Sequence, residues 1–286
     1  MPGGRFPPDS TGPLALRSSC DGRSRCRDPV VIRQAPTREL SSKTLALQQG
    51  EVHVWLADLN HSRFADRDID CILSQEERER VARFYFQRDR DQFIAGRAML
   101  RLILGRYLNM NPRRLQFNQG PHGKPALATE RGSDALRFNL AHSHGVALCA
   151  VARGRDIGVD VERVNADVNV DLIAERFFSQ REIAALRLLP QEKKLTAFFT
   201  CWVRKEAYVK ARGDGLAMDL DSFSVSLSPG EPAALLDVQG HPEEAHAWSL
   251  EQLDFAPSYA AALAVRADEC RVRCWEFTAH QWTSVD

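Results

Sequence analysis

Three carboxylates and an ammonium in the second half of the chain have the types and spacing for chemistry on phosphates. In "IGVDVE", residues 157–162, the apolar Ile157, Val159 and Val161 share one face of a strand, which turns Gly158, Asp160 and Glu162 to the other. Two carboxylates at i, i+2 on one face stand ~7 Å apart and repel unless a cation or solvent lies between them. In "WVRKEAYVK", residues 202–210, an apolar stripe through Phe199, Trp202 and Val203 continues at helical spacing to Glu206, with Lys210 one turn further on. A carboxylate directed towards a core needs a cation. Three all-oxygen ligands with no paired histidine suit Mg²⁺ or Mn²⁺ better than zinc, and Mg²⁺ held by few carboxylates keeps positions open for phosphates. Two milder readings stand beside this one. The acidic strand face can be solvated, and Glu206–Lys210 can be an i, i+4 helix pair worth only ~0.2–0.5 kcal/mol.

Groups able to meet an anion lie upstream. "GKP" at 123–125 places Lys124 on a loop restricted by Gly123 and Pro125. "FNLAHSHG" at 138–145 offers His142, Ser143 and His144, and Arg97 stands in "AGRAMLR". Each of these is as well explained by a structural role as by a ligand.

Elements that would position these residues come from a repeat. Past residue 45 the chain echoes itself at a shift of 105: Val54, Asn60, Asp66, Ser74, Gln75, Glu77 and Phe93 each equal the residue 105 later. Two similar lobes are expected, each with a strand, a short helix and a long helix. Ser74 with Glu77 and Ser179 with Glu182 spell capping boxes. The strand at 52–56 alternates Val52, Val54 and Leu56 inward, as its twin does with Ile157, Val159 and Val161. The stretch 146–162 reads as a β-hairpin, which would bring His142 near Glu162 if residue 152 pairs near 157. At this shift Asp160 stands for Trp55, Glu162 for Ala57 and Glu206 for Arg101, so carboxylates accumulate in the second lobe. Further strands follow, giving an α+β fold with lobes at 46–154 and 155–286.

Composition excludes other classes. Formal charge is zero, and the first 45 residues hold eight Lys and Arg against four Asp and Glu, leaving the rest mildly acidic. No block is basic enough for nucleic acid, and no apolar run approaches the ~20 residues that span a bilayer. Seven scattered cysteines complete no zinc pattern and fit a reduced, cytoplasmic protein. Residues 1–45, rich in Pro, Gly, Ser and Arg, read as a disordered tail or as translation from an upstream start codon.

Together, "GKPAL", "FNLAHS", "IGVDVE" and "FFSQRE…FFTCWVRKEAYVKARGDGL" resemble the 4′-phosphopantetheinyl transferases of the two-lobed, surfactin-activating (Sfp) type, over roughly residues 50 to 225. The resemblance implies transfer of the phosphopantetheine arm of coenzyme A to a serine of an apo acyl or peptidyl carrier protein, releasing adenosine 3′,5′-bisphosphate. It implies a monomer that holds Mg²⁺ on Asp160, Glu162 and Glu206. Glu206 would also help to deprotonate the serine, and Lys210 would neutralise the transferred phosphate. Arg97, Gly123, Lys124, His142, Ser143 and Lys210 match CoA-binding positions. Two departures stand out: Ala141 where the family often has Ser, and Gln92 where some members carry an Arg that Arg97 would replace. Two rivals are weighed against it. A CoA or nucleotide pyrophosphatase would use similar groups, but the acid-rich box of its common class is absent. An inactive carrier-binding scaffold would be expected to lack one of Asp160, Glu206 and Lys210.

Overall fold

The computed structural model describes residues 30–31, 45–60, 69, 71–120, 122–128, 132, 134–267 and 269–278. Of the segment 1–45 expected to be disordered, Val30–Val31 form strand β1, paired in parallel with Leu253 and Asp254. The expectation for residues 1–29 and 32–44 lies outside the described residues, as does the repeat position Asp66.

Both lobes follow one plan. In the first, strand β2 (Glu51–Asp58) leads to helix α1 (Gln75–Val81) and the 22-residue helix α2 (Gln87–Leu108). The short pair β3 (Phe117–Gln119) and β4 (Pro125–Leu127) follows, then β5 (Leu136–Ser143) and β6 (Val146–Arg153). In the second, β7 (Ile157–Arg163) leads to α3 (Val170–Phe177), α4 (Gln180–Leu188) and the 22-residue α5 (Gln191–Arg212). The short pair β8 (Phe223–Val225) and β9 (Leu235–Val238) precedes β10 (Ser249–Asp254) and β11 (Tyr259–Val265). Both capping boxes form, each serine accepting from the amide three residues on while that glutamate bonds back to the serine's own amide.

Two four-stranded sheets result, ordered β12-β2-β6-β5 and β1-β10-β11-β7, where β12 is Arg271–Glu276. Two expectations change here. The hairpin is β5–β6, closed by His144 and Gly145 at positive φ, the two-residue turn that suits the strand twist. β6 and β7 do not pair as a hairpin: β6 lies between β2 and β5, whereas β7 pairs antiparallel with β11. A strand–turn–strand pattern in sequence does not say which edge each strand will use. Secondly, residues 271–277, counted above with the C-terminal lobe, return to the first sheet. There β12 runs parallel to β2, and Trp275 stacks on Trp55 with ring centroids 4.9 Å apart.

Three apolar clusters order the layers. One lies between the first sheet and α2 and includes Trp55, Met99 and Leu104. A second lies between the two sheets and contains Val52, Val54, Ile157, Val159 and Val161, the residues whose alternation marked them as inward-facing. The third packs α5 against the opposite face of the second sheet, through Ala207, Tyr208, Ala260 and Ala262. Asp160 and Glu162 pair across the ladder with Ala262 and Ala260 and share their helix-facing side. The strand face carrying the carboxylates is therefore covered by a helix rather than bathed in solvent. Among the described residues no helix is long and apolar enough to cross a membrane.

The repeat needs one correction. The capping boxes keep the shift of 105, but the long helices begin at Gln87 and Gln191 and end at the left-handed caps Asn109 and Gly213, both 104 apart. One residue is missing from the second lobe between its capping box and its long helix. The counterpart of Glu206 is consequently Leu102, and Arg101 corresponds to Lys205. The ion pairs agree. Arg101 bonds Glu77 at 2.5 Å and two carbonyls leading into β3, while Lys205 bonds Glu182 at 2.6 Å and the carbonyl of Phe223 in β8.

Candidate active site

Close approach of a strand to a helix makes the site. A Cβ placed on Gly158 would lie 2.2 Å from the Ala207 carbonyl oxygen and 2.3 Å from the Ala211 amide nitrogen, distances no side chain tolerates. Glycine at 158 opposite the small Ala207 and Ala211 lets α5 lie directly on β7. The next outward positions on that strand face, Asp160 and Glu162, are then carried along the helix beside Glu206 and Lys210.

Lys210 Nζ donates to Asp160 Oδ1 at 2.5 Å. The pair joins helix to strand, so Lys210 meets Asp160 rather than closing an ordinary i, i+4 bridge with Glu206. Asp160 is only 3% exposed, and its second oxygen, Oδ2, is buried without a hydrogen-bond partner. Burial pushes its carboxyl from the ordinary 3.8 up to about 6; Lys210 opposes this, and the charges of Glu162 and Glu206 add to it. Glu206 is likewise raised, by burial first, with Lys210 opposing and Glu162 reinforcing. Glu162, Glu206 and Lys210 are half-buried, so the group opens outward from a deep aspartate. Among the described residues no set of three or more His, Cys, Asp or Glu is already gathered as a metal site. The donor set nonetheless fits a hard divalent cation. Glu162 and Glu206 destabilise the charge on Asp160, and that deepest carboxylate has an oxygen without a hydrogen-bond partner.

The expected anion contacts fare differently. His142 is exposed near the end of β5. Ser143 does lie beside Glu162: its hydroxyl donates to Glu162 Oε2 at 2.8 Å and accepts the Arg163 amide at 3.2 Å. That proximity arises because β5 lies along β7, and not from the hairpin invoked above. Gly123 sits at φ +82 in its turn. Lys124 differs from expectation, since its ammonium donates to the carbonyls of Ile157 and Ala211, both at 2.9 Å, tying the start of β7 to the end of α5. Burial lowers the Lys124 ammonium to about 8. Arg97 also departs from expectation: it pairs with Glu77 and lies over the Phe117 ring, 4.9 Å from its centroid, within the first lobe. Gln92 bonds Asn60.

One residue not singled out from the sequence joins the two sheets beside the site. Asn139 Oδ1 accepts the Val159 amide at 2.9 Å, four residues before Ser143 accepts from Arg163. The signal was present in "FNLAHS", two polar residues on the same strand face as the small Ala141.

Comparison with known proteins places this arrangement among relatives. A family model described as the 4′-phosphopantetheinyl transferase superfamily matches residues 156–264, and one described as 4′-phosphopantetheinyl transferase, N-terminal, matches residues 65–154. The 4′-phosphopantetheinyl transferase HetI of Nostoc sp. is 40% identical over 233 residues, which span 82% of this chain and 95% of that protein. The 4′-phosphopantetheinyl transferase Sfp of Bacillus subtilis is 32% identical over 155 residues, 54% of this chain and 66% of that one. Among solved structures, the holo-[acyl-carrier-protein] synthase of Thermotoga maritima aligns at a TM-score of 0.30 and 22% identity, covering 41% of this chain and 64% of that one.

Proposed function

The chain belongs to the 4′-phosphopantetheinyl transferase superfamily, and from that premise we propose that it moves the phosphopantetheine arm of coenzyme A onto a serine of an apo acyl or peptidyl carrier protein. The serine oxygen attacks the phosphorus that bears the arm, the bond from that phosphorus to the bridging pyrophosphate oxygen breaks, and adenosine 3′,5′-bisphosphate leaves. The serine proton passes to a base of the site.

The observation supporting this reading is the joined strand–helix group of Asp160, Glu162, Glu206 and Lys210, with the buried Oδ2 of Asp160 unpartnered. Asp160, Glu162 and Glu206 would hold Mg²⁺ or Mn²⁺, which when bound supplies positive charge to the pyrophosphate oxygens. Lys210 has two roles. In the free protein it neutralises Asp160, and with substrate present it turns to the transferred phosphate, where negative charge grows towards the transition state. Glu206, its carboxyl raised by burial and the side chain half-buried, would accept the serine proton directly or through water. His142, exposed near the end of β5, would meet the nucleotide's phosphates. Lys124 and Arg97 contribute through the frame instead, as both cations are already committed. We read a single chain as the working unit, since it contains both lobes of the plan. A reducing compartment suits the free thiols of Cys71, Cys149, Cys201, Cys270 and Cys274.

The test mixes the protein with apo-carrier, coenzyme A and Mg²⁺ and follows carrier mass. A gain of one phosphopantetheine per carrier, dependent on the divalent ion, is the expected result. Release of adenosine 3′,5′-bisphosphate with no change in carrier mass would identify a pyrophosphatase instead. No reaction of either kind would leave only carrier binding.

A further inference from the structure

β5 and β7 belong to different sheets, yet side chains of β5 take the place of a main-chain ladder between them. Asn139 Oδ1 accepts the Val159 amide and Ser143 Oγ accepts the Arg163 amide, a step of four residues on each strand. Between these rungs Ala141 packs in the inter-sheet core with Val161 and carries no polar atom. The rungs differ in one respect. Asn139 satisfies an amide and nothing in the acidic group, whereas Ser143 also donates to Glu162 Oε2 at 2.8 Å. Ser143 is 7% exposed, and His144 Nδ1 lies 3.1 Å from the same hydroxyl. Because the Arg163 amide points its hydrogen at Oγ, the hydroxyl hydrogen is directed away from that amide, and Glu162 receives it.

We infer that Ser143 is a positioning residue for Glu162, by which the first sheet sets the orientation of a carboxylate in the second lobe, and not a contact to coenzyme A. The inference rests on Glu162 serving the proposed transfer site. Its hydroxyl is oriented by one strand amide and engaged by one carboxylate, which leaves a substrate phosphate no donor. Unrestrained, a half-buried Glu162 would sample many conformers; the bond from Ser143 to Oε2 limits them, with the carboxylate close enough to Asp160 and Glu206 for its charge to act on both. The Ser143–Glu162 bond thus plays the part that hydrogen bonds behind a metal ligand commonly play.

Three variants of the full chain separate the possibilities: Ser143→Ala, Ser143→Thr, which keeps the hydroxyl, and Asn139→Ala, which removes the neighbouring rung. Each is measured for melting temperature, for kcat and KM of transfer with varied coenzyme A, and for Mn²⁺ affinity by isothermal titration. Ser143→Ala is expected to lose about 10–100-fold in kcat and in Mn²⁺ affinity, with KM for coenzyme A unchanged, and Ser143→Thr to recover most of both. Asn139→Ala is expected to melt lower with kcat and Mn²⁺ affinity intact. A raised KM with unchanged kcat in Ser143→Ala would make the serine a substrate contact and overturn the inference. So would identical behaviour of Ser143→Ala and Asn139→Ala, which would make both rungs simple strand pins. The Mn²⁺ titration requires no turnover, so a wild type that fails to modify carriers refutes the proposed function while the titration still judges Ser143. A wild type that binds no Mn²⁺ refutes the inference.

Discussion

The two lobes present the same strand and the same 22-residue helix to each other, and the space between is used in opposite ways. In the first lobe the strand carries His53 and Trp55, both bonded to the Tyr107 hydroxyl of α2, at 2.6 and 3.1 Å. With Trp275 stacked alongside, aromatics fill the contact. In the second lobe the equivalent strand positions are Gly158 and Asp160, and the residue matching Tyr107 is Ala211. Removing that bulk lets helix and strand touch, and what stands beyond the contact is polar: Asp160 for Trp55, Glu162 for Ala57, Glu206 for Leu102. Both lobes keep the capping-box glutamate paired with a cation from the helix, Glu77 with Arg101 and Glu182 with Lys205. That shared pair is scaffold. The acidic set is found on one side alone, and that is where the proposed chemistry would lie.

The largest effect is expected where the lobes differ most in charge. Asp160→Asn should reduce carrier modification by about 10³-fold or more, the scale on which deleting a preorganised charge in a reacting site acts. Its stability should move the other way. The Asp160 carboxyl titrates near 6 when folded against 3.8 ordinarily, so the folded chain holds this proton more tightly than the unfolded one. The group therefore favours folding below pH 4, and that contribution disappears and becomes a cost as pH rises through 4 to 6. In chelator above pH 7, Asp160→Asn should melt higher than wild type by about 2–5 °C, and its melting temperature should fall less between pH 4 and 7. Scanning calorimetry across that range reads both. A variant that melts lower than wild type at pH 8 would show that the Lys210 bond outweighs burial.

A smaller effect follows from bulk alone. Gly158→Ala restores one carbon of the side chain that the first lobe carries, against a backbone 2.2 Å away. Helix and strand must part, at a cost of about 1–3 kcal/mol, the usual penalty of overpacking. Denaturant unfolding should show that loss, and transfer should fall with it because Asp160 and Lys210 sit on opposite sides of the contact. A Gly158→Ala enzyme of normal stability and rate would mean that the close approach is incidental.

Much of this was legible in the sequence, and the illegible parts share a cause. Alternation in "IGVDVE" put Asp160 and Glu162 on the face opposite the inter-sheet core, and the stripe through Phe199 and Val203 led to Glu206. The capping boxes fixed the two helix starts. The register slip from 105 to 104 was hidden because both long helices set apolar residues side by side, as at Ala98–Leu100 and Ala197–Phe199, so a shift of one residue still matches some buried positions. The partners of Lys124 and Arg97 were hidden for a different reason. A cation on a loop or helix near a site suits an anion equally well as it suits a carbonyl or a carboxylate, and only the packing shows that Ile157, Ala211 and Glu77 were already there. The β5–β6 turn could not be told from a β6–β7 turn because partner choice at a sheet edge depends on residues a hundred positions away, here Tyr259–Val265.

The smallest effect is expected in the lobe without the acidic set. Arg97→Met removes a charge from the Glu77 pair, but Arg101 remains on the same carboxylate. A modest loss of melting temperature with an unchanged KM for coenzyme A is expected from steady-state transfer. A KM raised several-fold would restore Arg97 to the substrate site.

The central claim is that the carboxylates and the ammonium of the second lobe act in different ways on the same phosphates, and coenzyme A titrations of two variants test it most directly. Glu206→Gln and Lys210→Met are each titrated with coenzyme A by calorimetry, with and without Mg²⁺, alongside turnover. The account predicts that Glu206→Gln binds weakly and without response to Mg²⁺. It predicts that Lys210→Met keeps Mg²⁺-dependent binding while losing about 10²–10³-fold in kcat. Equal, small losses of melting temperature in both variants, with Mg²⁺-dependent binding and turnover like wild type, would contradict it and return Glu206 and Lys210 to the status of ordinary helix residues.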